Sequence, residues 1–144
     1  MFVAAKIINN KHRVTVAKLR MGSGKSFIAA IIANYYRKKE KRVAIVVPQT
    51  FLVSQMNKML GSLRHSIKVM TMQSTLFKSK DYDVFIIDEA DQCLLELGST
   101  IDTAKSMVFG YWDLLIKRSI LLTATISKDL EDILFEVFGF KTPA

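Results

Sequence analysis

From Val84 to Ile87 the chain reads Val-Phe-Ile-Ile, four apolar residues in succession with no polar one to face water. A strand of that composition is stable where both faces of its sheet are covered, as in a parallel sheet packed between helices. Other strand-length runs follow the same grammar. Arg13–Leu19 alternates as a strand, Arg42–Val47 is β-branched and closed by Pro48, and Ile67–Met70 and Ile120–Leu122 are short apolar runs. Pro48 marks a boundary because it cannot continue a central strand. Between these runs lie segments of helical period. Lys25–Arg37 sets Phe27, Ile28, Ile31 and Ile32 at helical spacing, Phe51–Leu63 reads as a helix ended near Gly61, and Asp102–Ile116 reads as mostly helical with a break at Gly110. Leu130–Phe138 gives a last helix before Gly139. Strands alternating with helices of this length predict an α/β fold, a mostly parallel sheet with helices on both faces. Such sheets bind ligands at the carboxyl ends of their strands. The turns after Leu19, Val47, Ile87 and Leu122 therefore carry the functional expectation.

The 144 residues suit one domain, 1–144, long enough to bury a core without crosslinks. The single cysteine, Cys93, cannot form an internal disulfide, and its neighbours Leu94 and Leu95 suggest a buried thiol in a reducing compartment. No run approaches the ~20 apolar residues of a membrane span. Met1–Arg13 lacks the apolar stretch and cleavage site of a signal peptide, so the expected location is inside the cell, away from membrane. The formal net charge of +8 attracts polyanions, of which nucleic acid is the commonest in cells. Much of that surplus lies in Arg37-Lys38-Lys39-Glu40-Lys41-Arg42. This run reads equally as a solvated helix end, its cations near the carbonyl terminus where the dipole favours them. His12 and His65 lack partners at metal-ligand spacing, so zinc is not expected. Tyr35, Tyr36, Tyr111 and Trp112 could stack on bases, but at helical positions beside Ile31, Ile32 and Leu114 they read as core or core edge, and Met56, Met59, Met70 and Met72 read as core filler.

Two turns carry chemistry. The first is Leu19-Arg20-Met21-Gly22-Ser23-Gly24-Lys25-Ser26. Gly22 and Gly24 let backbone wrap phosphate oxygens, and the amides around Ser23 and the helix start supply donors and positive dipole. Lys25 would reach the β- and γ-phosphates of ATP, and the Ser26 hydroxyl would take a Mg²⁺ position. The second turn follows the buried strand, at Asp88-Glu89-Ala90-Asp91. Asp88 would hold Mg²⁺, directly or through water, and Glu89 would polarise the water that attacks the γ-phosphate.

With these motifs the chain resembles the first RecA-like domain of superfamily-two helicases and translocases of the DEAD/DEAH type. Asp88-Glu89-Ala90-Asp91 spells the DEAD signature. Val46-Val47-Pro48-Gln49-Thr50-Phe51-Leu52-Val53-Ser54-Gln55 looks like motif Ia, Leu122-Thr123-Ala124-Thr125 looks like motif III, and Met70-Thr71-Met72-Gln73-Ser74 resembles the stretch that often precedes motif II. The resemblance implies a RecA-like P-loop fold in which the motif III strand lies between the P-loop and motif II strands. It also implies that Asp91, Thr123 and Thr125 couple the nucleotide site to a nucleic-acid face, and that Pro48, Gln49, Thr50 and Gln73 lie near the strand backbone.

The chain departs from the pattern in three places. Leu19 stands where motif I usually has a small residue, motif Ia lacks the Arg-Glu pair of true DEAD-box proteins, and the residues before Leu19 give no convincing Q motif. Nor does any stretch resemble the second RecA-like domain. The chain is therefore expected to be an ATP- and Mg²⁺-binding motor domain acting on RNA or DNA, with a single strand the expected form. Its hydrolysis would depend on a second RecA-like domain, in cis or in trans. Two alternatives stand beside it: a non-catalytic module that binds nucleotide or nucleic acid, and an ATPase domain of the protein-translocation type.

Overall fold

The computed structural model describes residues 2–9, 14–19, 24–71, 74, 79–95, 118–124 and 132. Its strands are β1 (Val14–Lys18), β2 (Val43–Val47), β3 (Lys68–Thr71), β4 (Val84–Asp88) and β5 (Arg118–Thr123), and its helices α1 (Phe2–Asn9), α2 (Lys25–Lys38), α3 (Thr50–Leu60) and α4 (Ala90–Leu95). The strands form one sheet in the order β1-β5-β4-β2-β3, and every pairing is parallel. β5 thus lies between β1 and β4, as the resemblance implied. The expected helices over Asp102–Ile116 and Leu130–Phe138 lie outside the described residues, apart from Asp132.

Every residue of β2 and β4 is buried, and both faces of the sheet are sealed. Towards one face point Val43, Ile45, Val47, Val84, Ile86, Ile120 and Leu122, which form one apolar cluster with Ala4 and Ile7 of α1, Ala29, Ile32 and Ala33 of α2, and Met56 and Leu60 of α3. On the other face Ala44, Val46, Phe85, Ile87 and Leu121 are equally inaccessible. This is the packing that an unbroken apolar strand requires. Among the described residues no helix is long and apolar enough to cross a membrane.

Helix α1 was not expected from the sequence pattern. Its last turn is fastened by Arg118, which donates from Nη2 to the Ile7 carbonyl at 3.0 Å, from Nη1 to Thr15 Oγ1 at 2.6 Å and from Nε to Tyr36 Oη at 3.2 Å. One guanidinium at the start of β5 therefore ties α1, β1 and α2 together. At the end of α2, Glu40 adopts φ 62°. The Lys41 amide donates to the Tyr36 carbonyl and the Glu40 amide to the Arg37 carbonyl, at 3.1 and 2.9 Å, which is the Schellman pattern with a non-glycine at its left-handed position. Asp83, just before β4, takes the Arg42 guanidinium at 3.0 Å and the Arg42 amide at 2.9 Å, tying together the starts of β2 and β4. That pairing holds the Asp83 carboxyl down at about 2.

Three expectations are corrected. Phe27, read as part of the buried stripe of α2, is 58% exposed, because the first turn of the helix projects at the mouth of the sheet where nothing described covers it. Met59, read as core, is 47% exposed on α3, whereas Met56 and Met70 are buried as expected. Helix α3 ends against Gly61 as expected, at Leu60, but the residues up to Leu63, read as part of it, belong instead to a 3₁₀ turn, Gly61–His65, begun by Gly61 at φ 59°.

Candidate active site

Because all strands run the same way, their carboxyl ends share one edge, and the turns after β1, β2, β4 and β5 gather there. Leu19 begins the turn after β1, and its amide donates to the Thr123 carbonyl at 2.7 Å, locking that turn to the end of β5. Gly24 precedes α2 with φ 79° and ψ 37°, the left-handed region. A Cβ there would meet Phe27 Cβ at 3.9 Å, an ordinary contact, so backbone conformation rather than space calls for glycine. From this turn α2 runs back over the sheet, and its first residues, Lys25 and Ser26, face the mouth.

The second turn begins where β4 ends. Asp88 is 6% exposed, and Glu89 follows it at φ 52°, a left-handed conformation that costs a non-glycine residue about 1–2 kcal/mol. The turn is held by the Glu89 amide, which donates to Asp88 Oδ1 at 3.0 Å. The first turn of α4 adds the Cys93 amide donating to the Glu89 carbonyl at 3.0 Å and the Cys93 thiol donating to the Asp88 carbonyl at 3.4 Å. Cys93 is buried, as expected, and serves as a brace under the two carboxylates. Such local strain is found where a surrounding structure fixes a side chain for use.

The two turns meet. Lys25 Nζ forms an ion pair with Glu89 Oε1, and Ser26 Oγ donates to Asp88 Oδ2 at 3.2 Å. Residues more than sixty positions apart in sequence thus converge on one point. Burial holds the Asp88 carboxyl above the usual carboxylate range, and the Glu89 charge adds to this. The Ser26 hydroxyl, the Lys25 ammonium and the Glu89 amide pull the other way without prevailing. A cavity of about 160 Å³ opens beside Ser26, Asp88 and Glu89, and Leu52, Met56 and Met59 of α3 help to line it.

Mg²⁺ takes hard oxygen ligands, holding one or two from protein with the rest from water and phosphate. The Ser26 hydroxyl and the Asp88 carboxylate, adjacent and at the edge of a cavity, fit that set. A left-handed glycine before a helix N-terminus fits a phosphate next to it.

The other expected site residues fall as follows. Thr123 ends β5, fully buried, one strand from Asp88, whose register partner is Leu122. Pro48, Gln49 and Thr50 lie on the same edge in the turn from β2 into α3, with Gln49 and Thr50 exposed. Asp91 lies in α4, and only its backbone is described. Gly22, Ser23, Gln73 and Thr125 lie outside the described residues. The pairing of Lys25 with Glu89 was not foreseen, nor was Cys93 as a brace. No sequence signal announces either, since both depend on which turns the sheet brings together.

The family model described as "Type III restriction enzyme, res subunit" matches residues 3–72, from the second residue of α1 to just past β3, with the Gly24–Ser26 turn between. A search of curated proteins found no sequence match. Among solved structures, the UvsW helicase of bacteriophage T4 superposes with a TM-score of 0.69 at 19% identity, over 98% of this chain and 56% of that one. The Hef helicase domain of Pyrococcus furiosus gives 0.67 at 18% identity, over 97% of this chain and 36% of that one. A hypothetical ATP-dependent RNA helicase from Sulfolobus tokodaii gives 0.65 at 18% identity, over 98% of this chain and 49% of that one. The chain spans about half or less of the length of these structures.

Proposed function

We propose that this chain, whose fold is that of the RecA-like domains of helicases, is an ATP-binding motor domain acting on nucleic acid. The observation that carries the reading is the convergence of Lys25 and Ser26 with Asp88 and Glu89 at the carboxyl edge of a parallel sheet. When bound, Mg²⁺ would neutralise charge on the phosphates. Ser26 and Asp88 would hold it. Without nucleotide, Lys25 and Glu89 satisfy each other. A phosphate draws the Lys25 ammonium to itself and releases the Glu89 carboxylate, which then accepts a hydrogen bond from the attacking water. The backbone around Gly24 binds and orients the phosphates. Thr123 and Asp91 are proposed to relay the state of the site, and Pro48, Gln49, Thr50 and Gln73 to lie along a single strand of RNA or DNA.

Charge developing on the γ-phosphate also calls for a cation from across the cleft. In related phosphoryl-transfer systems such an arginine is worth about 10³–10⁵ in rate. It is assigned to a second RecA-like domain. Purified alone, the chain should hydrolyse ATP very slowly. Adding such a domain by fusion should raise turnover by orders of magnitude, and Glu89→Gln should cancel that gain while nucleotide binding persists. Fast turnover by the chain alone, unchanged by Glu89→Gln, would overturn this assignment.

A further inference from the structure

Among the described residues, a group of exposed cations lies away from the nucleotide mouth. In a parallel sheet the strand starts share the opposite edge, and helix α2 runs from the mouth to that edge. Lys38 and Lys39 stand at its end and Lys41 and Arg42 lead into β2. Lys68 opens β3 beside Ala44 of β2, and Lys80 lies in the 3₁₀ turn (Ser79–Asp81) that precedes β4. All six of these side chains are exposed. The carboxylates interspersed with them are Glu40, Asp81 and Asp83, and Asp83 is committed to Arg42.

The dipole of α2 favours cations in its last turn, which accounts for Arg37 and Lys38. It does not account for Lys68 and Lys80, which come from other elements and meet the helix end only through the sheet order β4-β2-β3. Neighbouring strands lie about 4.8 Å apart, so the starts of β4, β2 and β3 span roughly 10 Å, with Lys80 in the turn that leads into β4. The same region carries an aromatic face. Tyr35 is 38% exposed, and Lys39 Nζ sits 5.7 Å from its ring centre. Protein interfaces are depleted in lysine, whereas lysine is a regular point-charge partner of phosphate. Aromatic rings beside cations suit unpaired bases, which stack on them.

We infer that this edge is a second nucleic-acid surface, which holds the phosphate backbone of a single strand at the end of the sheet away from the nucleotide site. From Arg42 to Pro48, across β2, is six residue steps of about 3.3 Å, or about 20 Å. The two surfaces are thus separate, and strand binding here does not rest on the proposed ATPase reading. It requires no nucleotide, no metal and no second domain.

The test is fluorescence anisotropy of a labelled single-stranded oligothymidylate with the full chain at low salt, without nucleotide. Replacing Lys38, Lys39 and Lys41 by Glu changes only exposed side chains, and an unchanged circular dichroism melt checks that the fold is kept. Affinity should fall by about tenfold or more, and the slope of log affinity against log salt should flatten by about 2, at ~0.7 per phosphate contact. Tyr35→Ala should weaken oligothymidylate binding and leave heparin binding unchanged. Wild-type affinity and slope in the triple variant would overturn the inference. Equal oligothymidylate binding by wild type and Tyr35→Ala would overturn the assignment to a nucleic-acid strand.

Discussion

Asp88→Asn separates what the site does for the fold from what it does for the ligand. In the wild type a carboxylate that is 6% exposed stands beside Glu89, and burial and repulsion together hold its carboxyl above the usual range. Ionisation at Asp88 therefore works against the native state. An asparagine keeps the shape, still accepts from the Glu89 amide and can donate to Ser26 Oγ. Replacing a buried charge by a neutral group of the same volume is commonly neutral to stabilising, by up to about 4 kcal/mol. Here about 1 kcal/mol is expected, because the Lys25 attraction is lost at the same time. In a chain of 144 residues that is a rise of roughly 4 °C in Tm. The sign fixes the pH window. With the native value raised, the penalty is absent below the ordinary carboxylate range near 3.8 and complete above the raised value, so the advantage of Asp88→Asn should hold at neutral pH and vanish as pH falls towards 3.8.

Ligand reverses the ranking. Mg²⁺-nucleotide at a hundred times its Kd stabilises by ~2.7 kcal/mol, about 10 °C here. Wild type should gain that shift and Asp88→Asn should not, since the carboxylate is a proposed Mg²⁺ holder. Differential scanning fluorimetry with and without Mg²⁺-ADP reads both effects. A lower Tm for the variant without ligand at neutral pH would refute the electrostatic argument, and an equal ligand shift would refute the metal role.

Two further outcomes follow from the frame. Arg118→Ala removes three hydrogen bonds that tie α1, β1 and α2 together. It should cost about 2–4 kcal/mol in urea unfolding, with Arg118→Lys recovering part of it, and a loss under 0.5 kcal/mol would refute the tether. Glu40→Gly relieves a left-handed residue in the Schellman turn and should stabilise by roughly 1 kcal/mol. It also removes one carboxylate from the basic edge and should tighten oligothymidylate binding there. A destabilised Glu40→Gly chain would contradict the strain argument.

The residues whose chemistry is local are legible in the sequence alone. Val84–Ile87 announces a strand buried on both faces because nothing in it can face water, and Gly24-Lys25-Ser26 and Asp88-Glu89 announce phosphate and metal chemistry because few other tasks want those groups in a turn. The position of β5 between β1 and β4 follows only from resemblance, since apolar content says that a strand is central but not which strands flank it. Helix α1 is hidden by its eight-residue length and by polar residues within and after it, although Ala4 and Ile7 sit one turn apart and are both buried. Periodicity places Phe27 on the apolar stripe of α2 without revealing that the stripe's first turn projects beyond the sheet. The Lys25–Glu89 pair is a tertiary fact, set by which strand ends the parallel sheet places side by side.

Whether these strand ends form a nucleotide site is read out by isothermal titration calorimetry with Mg²⁺-ATP or Mg²⁺-ADP. Wild type should bind with measurable heat, and Lys25→Ala should lose binding by tenfold or more, about 1.4 kcal/mol, while its circular dichroism spectrum stays unchanged. Equal affinity of the two proteins would mean that Lys25 meets no phosphate and that these strand ends are not a nucleotide site.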